Sequence, residues 1–206
     1  MSYLVVKWRY GADIRQYGSG SVGASNVIQS FSKRSGVLIA IFDICKGALL
    51  AFIARLLGMD IVQQAAIGMA VIIGHNWPVF LRFNAGRGMA TTVGLVLYLV
   101  PLAIPSFIFL ALFILIVGSS PVPALIALAS IPLTSWGLHE PAALTLELTA
   151  IFLLMIIRRL TAPKSARSKM VGTRELLLNR FLFDRDIRDA KAWVTYKPET
   201  LEKPKK

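Results

Sequence analysis

Cysteine is almost absent from this sequence, whose 206 residues contain one, Cys45, inside an apolar stretch. A single cysteine excludes an intrachain disulfide and a cysteine-rich metal site. Charged residues are also scarce, at 17% of the chain, whereas ordinary soluble domains carry about 25%. Acidic residues are fewer than basic ones: the chain has 11 Asp and Glu and 23 Lys and Arg, which gives a net charge of +12. These shortages argue against a soluble domain and against a disulfide scaffold.

Long apolar stretches take the place of the missing charges. The chain is 55% hydrophobic and its mean hydropathy is +0.63. A membrane-spanning helix needs roughly 20 mainly apolar residues. Pro101 and Pro105 divide the apolar region 88–118, which is too long for one span. We therefore predict an all-α fold, a polytopic integral membrane bundle of about six helices at 36–57, 61–81, 88–101, 103–118, 121–138 and 141–158.

The cations predict the orientation of these helices. With the C-terminal tail in the cytoplasm, all of the 23 Lys and Arg except Arg55 and Lys46 fall on the cytoplasmic side. The same orientation puts residues 18–26 and 82–87 together on that side. We attribute the basic excess to topology and lipid headgroups, and we expect no nucleic-acid binding because no soluble module is large enough to support it.

The chain divides near residue 160 into a membrane domain, 1–160, and a basic cytoplasmic tail, 161–206. Residues 158–206 hold 14 Lys and Arg against 6 Asp and Glu. Within the tail, 174–192 can form an amphipathic helix with apolar Leu176, Phe181 and Ile187, and we expect it to lie on the inner leaflet.

Residues 18–26 form a glycine- and serine-rich stretch without acids. Glycine lets the backbone approach a ligand, and its N–H groups can form an anion-binding nest. Serine and asparagine side chains add further hydrogen bonds. The stretch therefore predicts a site for a phosphorylated ligand at the membrane edge. The alternative is an ordinary turn before a helix, with Asn26 or Ser30 as its N-cap.

A second candidate region joins 74–78, which includes His75, to 83–92, which includes Arg87 between two glycines. Arginine can grip phosphate through two parallel hydrogen bonds, and a helix N-terminus favours anions. Histidine can act as a base or as a hydrogen-bond donor near neutral pH. The alternative is that Trp77 is an interfacial anchor, Arg87 follows the positive-inside rule and His75 is a packing residue.

The third candidate is the pair Asp43 and Lys46 within the first long span. Each charge costs about 2.5–3.5 kcal/mol at the centre of an inserted helix. Residues three apart share one helix face and can pair. A functional pair and a structural ion pair remain equally open on this evidence.

Together these motifs resemble the PlsY-type acyl-phosphate:glycerol-3-phosphate acyltransferases of bacteria. The matching pieces are 13–17 with 18–26, then 43–47, 74–78 and 83–92, in the family's order and spacing. The resemblance implies a multi-pass protein of the bacterial cell membrane that transfers a fatty acyl group from acyl phosphate to glycerol 3-phosphate, forming lysophosphatidic acid in phospholipid biosynthesis. It implies acyl phosphate, glycerol 3-phosphate and membrane lipids as partners, and no cofactor or metal. The resemblance leaves the oligomeric state open, and a monomer is compatible with the sequence.

The resemblance also implies roles for individual residues. Ser19 and His75 are expected to be catalytic, with Asp43 supporting the site. Arg87 and Lys46 are expected to bind phosphate. The full set of expected substrate-binding residues is Gly18, Gly20, Ser21, Gly23, Ser25, Asn26, Lys46, Asn84, Gly86, Arg87 and Gly88.

The sequence departs from the family pattern at several of these motifs. The family usually has a cation at Gln29 and at Asn84, and lysine at Arg87. Its third motif, a His and an Asn after the last helix, has no clear match, and Arg158 and Arg159 stand there, where we expect them to end a span by snorkelling. The first family helix is expected to be truncated here. These departures favour a rival hypothesis, a non-catalytic relative that binds lipid phosphate or a small transporter.

Overall fold

Helices make up the regular structure of this chain. The computed structural model describes residues 1–83, 85–101, 105, 108–109, 112, 121–163, 168 and 171–194. Within those ranges the chain forms α-helices, short 3-10 helices and turns, and no strand. The predicted all-α fold is confirmed. Asn84 and most of the candidate span 103–118 lie outside the described residues.

The described helices agree with five of the six predicted spans, all except 103–118. In chain order the α-helices are α1 (Ser2–Tyr10), α2 (Ala24–Ser30), α3 (Lys33–Leu56), α4 (Ile61–Asn76), α5 (Met89–Leu99), α6 (Pro121–Gly137), α7 (Ala142–Leu160), α8 (Thr173–Phe183) and α9 (Ala190–Val194). Single turns of 3-10 helix lie at Ile14–Gln16 and Val79–Leu81. By length and composition, Lys33–Leu56 and the helical segment Ile61–Leu81 can cross a membrane, while α5 and α6 are apolar but shorter.

Capping side chains explain where the two long helices begin. The Ser32 side chain accepts a hydrogen bond from the backbone N–H of Ser35 at the start of α3. At the start of α4, Asp60 and Gln63 form a reciprocal capping box, which satisfies two N–H groups that the first turn leaves without a helical partner.

Helices α3 and α5 pack unusually closely through two glycines. A Cβ at Gly47 on α3 would overlap the carbonyl oxygen of Thr91, and a Cβ at Gly94 on α5 would overlap that of Ile44. Small residues at such crossings let two helix backbones approach. The close crossing places the N-terminus of α5, and with it Arg87, beside the middle of α3, where Asp43 lies.

The bundle is apolar outside and holds buried charges inside. Leu38, Leu133 and Leu146 are 67%, 66% and 70% exposed, whereas Asp43 and Arg158 are only 3% and 2% exposed. In a membrane, charged side chains face the bundle interior because lipid cannot solvate them. The burial pattern therefore fits a membrane bundle.

The tail departs from its prediction. One amphipathic helix was expected over 174–192, but α8 ends at Phe183, because Asp184 adopts a left-handed conformation with φ 54° and ψ 36°. The face of α8 that carries Leu176, Asn179 and Arg180 is buried against the ends of α6 and α7. The tail segment thus contacts the bundle directly, while the domain division near residue 160 stays a prediction.

Candidate active site

An ion pair anchors the start of the loop that leads into the glycine- and serine-rich stretch. The Asp13 carboxylate caps the 3-10 turn and accepts hydrogen bonds from Arg15, at 2.9 and 3.1 Å from Nε and 2.6 Å from Nη2. These hydrogen bonds from Arg15 lower the pKa of Asp13 below its usual value. The Arg15 guanidinium also lies 5.3 Å from the ring centre of Tyr3. Arg15 is therefore held in place at the rim of the site.

Asn26 organises this loop from within. Its Nδ2 lies within hydrogen-bonding distance of the carbonyls of Ile14, Tyr17 and Ser21, at 3.4, 3.0 and 2.9 Å. Its Oδ1 accepts from the Ser19 N–H at 3.2 Å and the Ser30 hydroxyl at 3.1 Å. The side chain is 1% exposed. In this structure Asn26 therefore shapes the loop, and its expected direct contact with substrate stays a prediction.

The predicted backbone nest is not formed at its centre. The N–H of Ser19 is taken by Asn26, that of Gly20 donates to the Tyr17 carbonyl at 2.9 Å, and that of Ser21 donates to the Ser19 hydroxyl at 3.3 Å. Gly18 and Gly20 have φ of 52° and 68°, which favours glycine at both. These three N–H groups at the centre of the loop are therefore engaged within the loop itself.

Asp43, Lys46 and His75 form one cluster between α3 and α4. Lys46 Nζ donates to Asp43 Oδ1 at 2.6 Å and to His75 Nδ1 at 2.6 Å. An ammonium has donors only, so Nδ1 accepts and the neutral imidazole carries its proton on Nε2. A Cβ at Gly86 would lie 2.5 Å from Nε2, so this edge of the ring faces the Gly86 backbone. Of the two roles left open for His75, the geometry favours the hydrogen-bond donor.

The loop that carries Arg87 is held by Arg158. Arg158 donates from Nε to the carbonyl of Gly86 and from Nη2 to that of Ala85, both at 3.1 Å. Its guanidinium also lies 5.3 Å from the ring centre of Trp77. Gly88, the N-cap of α5, has φ 71°, and a Cβ there would lie 2.7 Å from Asn76 Oδ1.

Arg87 lies between two neighbouring cavities. The first has a volume of about 200 Å³, and its polar wall comprises Arg15, Ser19, Gly20, Ser21, Arg87, Arg158 and Asp186. The second, of about 340 Å³, combines polar and apolar residues, among them Ser21, Gly23, Ser25, Ile28, Asp43, His75, Arg87, Gly88, Met89, Met155, Arg159 and Asp184. Ser21 and Arg87 belong to both walls, so two ligands bound in these cavities would meet at Arg87.

Lys46 lies apart from both of these cavities. It lines a third, of about 300 Å³, together with Val22, His75 and Leu81. The expected contact between Lys46 and a phosphate bound by Arg87 is not supported by this placement, because its ammonium is directed to Asp43 and His75. We assign Lys46 the role of fixing the His75 ring.

Arginines at the end of α7 were missed as site residues in the sequence. Arg158 and Arg159 were expected to snorkel, but they are 2% and 4% exposed. Arg159 donates to the carbonyls of Phe181 and Pro121, each at 3.1 Å, and lines the second cavity. The available signal was two adjacent cations at the end of an apolar helix, since intramembrane charges are costly and usually functional. Among the residues that the structure describes, no group of three or more His, Cys, Asp and Glu is placed to hold a metal ion.

Comparison with known proteins agrees with this architecture. Residues 1–166 match the profile of the family described as glycerol-3-phosphate acyltransferase. The chain belongs to the glycerol-3-phosphate acyltransferase family. The predicted family is therefore confirmed.

Curated members of the glycerol-3-phosphate acyltransferase family match most of this chain. Glycerol-3-phosphate acyltransferase 4 of Dehalococcoides mccartyi (strain CBDB1) is 42% identical over 202 residues, covering 94% of this chain and 86% of the relative. The glycerol-3-phosphate acyltransferase of Pseudomonas putida (strain W619) is 36% identical over 148 residues, covering 70% and 77%.

A solved member of the family has the same fold. The crystal structure of PlsY (YgiH), an integral membrane glycerol 3-phosphate acyltransferase in its glycerol 3-phosphate form, superposes with a TM-score of 0.70 at 30% identity, covering 85% of this chain and 84% of that one. The predicted fold class, an integral membrane helical bundle, is confirmed.

Proposed function

We propose that this protein is a membrane acyltransferase that transfers a fatty acyl group from acyl phosphate to the 1-hydroxyl of glycerol 3-phosphate, forming lysophosphatidic acid. The observation that carries the proposal is the position of Arg87, a residue that lines two adjoining cavities of different character. A transfer between two phosphorylated substrates needs two adjoining sites, and a cation between them can bind both phosphates. Family membership and the names of the relatives support acyl transfer to glycerol 3-phosphate.

The two cavities suit different substrates. We assign glycerol 3-phosphate to the first, because three arginines and two serines line it: Arg15, Arg87, Arg158, Ser19 and Ser21. We assign the acyl phosphate to the second, where Arg87 and Arg159 can bind its phosphate and an apolar wall can accept the start of the chain. That wall comprises Ile28, Ala40, Met89, Ala124 and Met155.

The reaction needs positioning and charge stabilisation. The glycerol hydroxyl attacks the acyl carbonyl, a C–O bond forms, and the bond from the carbonyl carbon to the phosphate oxygen breaks. Arg87 and Arg159 stabilise the charge that grows on the departing phosphate, and that phosphate can accept the hydroxyl proton. Ser19 lies in the first cavity with a hydroxyl able to orient the acceptor. His75 serves as a hydrogen-bond donor through its Nε2–H and helps to order the site. The direct attack of the glycerol hydroxyl requires no covalent acyl-serine.

The location follows from the same proposal. We place the protein in the bacterial cell membrane with Arg87, residues 18–26 and the tail on the cytoplasmic side, because the cations of the chain are concentrated there. Both substrates are charged and reach the site from that side.

One observation favours a second function, a non-catalytic protein that binds lipid phosphate. The Asp184 carboxylate lies 2.7 Å from Arg87 Nη1, where a substrate phosphate would compete with it. Purified protein incubated with palmitoyl phosphate and glycerol 3-phosphate separates the two functions. The enzyme releases inorganic phosphate and forms lysophosphatidic acid only when both substrates are present, whereas a binding protein releases none above background.

A further inference from the structure

A residue of the tail forms a two-point contact with Arg87. Arg87 Nη1 donates to the backbone carbonyl of Asp184 at 2.8 Å and to its Oδ2 at 2.7 Å. The two residues are 97 positions apart. Both acceptors belong to Asp184, which has the left-handed conformation that aspartate adopts more readily than most residues. One nitrogen of the guanidinium is thereby fixed, and its other N–H groups bond none of the residues that the structure describes.

The same carboxylate also faces Arg159. Asp184 Oδ1 lies 3.7 Å from Arg159 Nε, and this oxygen is buried without a hydrogen bond to any described residue. Arg87 and Arg159 line the second cavity together with Asp184. Like charges in a partly desolvated site repel, so a carboxylate between them holds the two guanidinium groups at one wall of the cavity.

The segment that carries Asp184 is itself firmly attached to the bundle. Arg180 Nε donates to Asp186 Oδ1 at 2.7 Å, and the two side chains are 5% and 2% exposed. Arg180 Nη1 also donates to the carbonyl of Leu160, at the end of α7, at 2.9 Å. These contacts hold both sides of the turn at Asp184, so its carboxylate has a defined position.

We propose that Asp184 is a positioning residue of the acyltransferase site: it orients Arg87 and Arg159 toward the phosphate of the acyl donor. The inference rests on the proposed function. It extends the site beyond residues 1–166, which match the family profile, because the turn after α8 completes a wall of the second cavity. Asp184 acts through the two arginines and leaves the remaining N–H groups of Arg87 for substrate.

The test compares Asp184→Asn with a control variant, Glu175→Gln, that loses one carboxylate elsewhere in the tail. Asparagine keeps the shape and tolerates the left-handed conformation, but it removes the charge and replaces one carboxylate oxygen by an NH2 donor. We expect kcat/KM for palmitoyl phosphate to fall by about 10- to 100-fold, as for a misplaced catalytic group. Most of the loss is expected in kcat, because charge grows on the phosphate as its bond breaks. Glu175→Gln, an equal charge change at an exposed site of α8, should keep wild-type kinetics.

A double-mutant cycle separates positioning from general structure. If Asp184 acts through Arg87, the combination of Asp184→Asn with Arg87→Lys should lose less than the product of the two single losses. Thermal unfolding in detergent shows whether each variant is folded. Should Asp184→Asn fail to fold, Asp184→Gly, which retains the left-handed turn and the backbone carbonyl, takes its place in the same cycle.

Each outcome has a distinct meaning. Wild-type kinetics for Asp184→Asn, or losses that simply multiply with Arg87→Lys, would overturn the inference and leave the proposed function standing. A lower KM with undiminished kcat would also overturn it, because Asp184 would then compete with substrate for Arg87. A wild-type protein that releases no phosphate with both substrates would refute the proposed function and the inference together.

Discussion

Lys46 and His75 are joined across the α3–α4 interface by a hydrogen bond of 2.6 Å from Nζ to Nδ1. The same ammonium binds the Asp43 carboxylate, so one lysine satisfies a buried acid and fixes a histidine tautomer. The imidazole is thereby oriented with Nε2–H toward the Gly86 backbone. This cluster links the membrane interior to the loop that carries Arg87.

The first prediction concerns the charge of Lys46. Lys46→Met should destabilise the protein by about 3 kcal/mol or more, because the Asp43 carboxylate would be left buried without its cation. Combining it with Asp43→Asn should recover much of the loss, since no buried charge then remains. Thermal unfolding in detergent measures both variants. A Lys46→Met protein as stable as wild type would show that the pair does not hold the bundle.

The second prediction concerns the space beside His75. Gly86→Ala would bring a Cβ to 2.5 Å from His75 Nε2, so the ring or the loop must move. We expect kcat/KM for phosphate release to fall about 10-fold or more, since small displacements of catalytic groups are costly. Gly137→Ala is the control, because a Cβ there meets nothing within 4 Å. Equal activity of the two variants would remove Gly86 from the site.

The third prediction concerns Asn26 as the centre of its loop. Asn26→Ala removes the five hydrogen bonds of this side chain. The carbonyls of Ile14 and Tyr17 keep their backbone donors, whereas the Ser19 N–H and the Ser21 carbonyl lose the Asn26 partner, and each unsatisfied buried group costs about 1–3 kcal/mol. We expect faster proteolysis within residues 11–23 and a lower unfolding temperature. Gln29→Ala, an exposed change on the same helix, should leave both unchanged. Resistance to proteolysis equal to wild type would contradict the structural role of Asn26.

The fourth prediction follows from the lowered pKa of Asp13. A carboxylate whose pKa is lower in the folded state stabilises the fold above its unfolded pKa, about 3.9, and loses this effect as the pH falls through the folded pKa. Wild type should therefore be more stable than Asp13→Asn at pH 6, by up to about 1 kcal/mol for a partly exposed pair. Unfolding temperatures measured from pH 6 to 3 should converge. A difference that stays constant over this range would rule out the ion pair as its source.

Much of the membrane fold could be predicted, because hydropathy and capping act locally. The spans predicted at 36–57 and 141–158 are observed as Lys33–Leu56 and Ala142–Leu160. The break in the tail could not be predicted in this way. The left-handed turn at Asp184 is stabilised by hydrogen bonds from Arg87, a residue far away in the chain. The spacing of apolar residues in 174–192 cannot predict a contact with so distant a residue.

The sequence motifs predicted which residues line the candidate site, but they did not predict the hydrogen-bond partners of those residues. Arg87, His75 and Ser21 do line one region, as the spacing of the motifs suggested. The centre of the predicted anion nest is not formed, because the N–H groups of Ser19, Gly20 and Ser21 are engaged within the loop. Arg158 was missed because its partners are backbone carbonyls. Asn84 lies outside the described residues, and its expected role in binding remains a prediction.

Arg87 provides the most direct test of the account. Phosphate release from palmitoyl phosphate should be compared among wild type, Arg87→Ala and Arg55→Ala, with and without glycerol 3-phosphate. We predict that phosphate release by wild type needs both substrates. Arg87→Ala should lower kcat by about 100- to 1,000-fold, as expected when a donor to a developing charge is removed. Arg55→Ala should keep the wild-type rate, because its exposed cation lies at the other end of α3. Full activity of folded Arg87→Ala, or no release by wild type, would contradict the central claim.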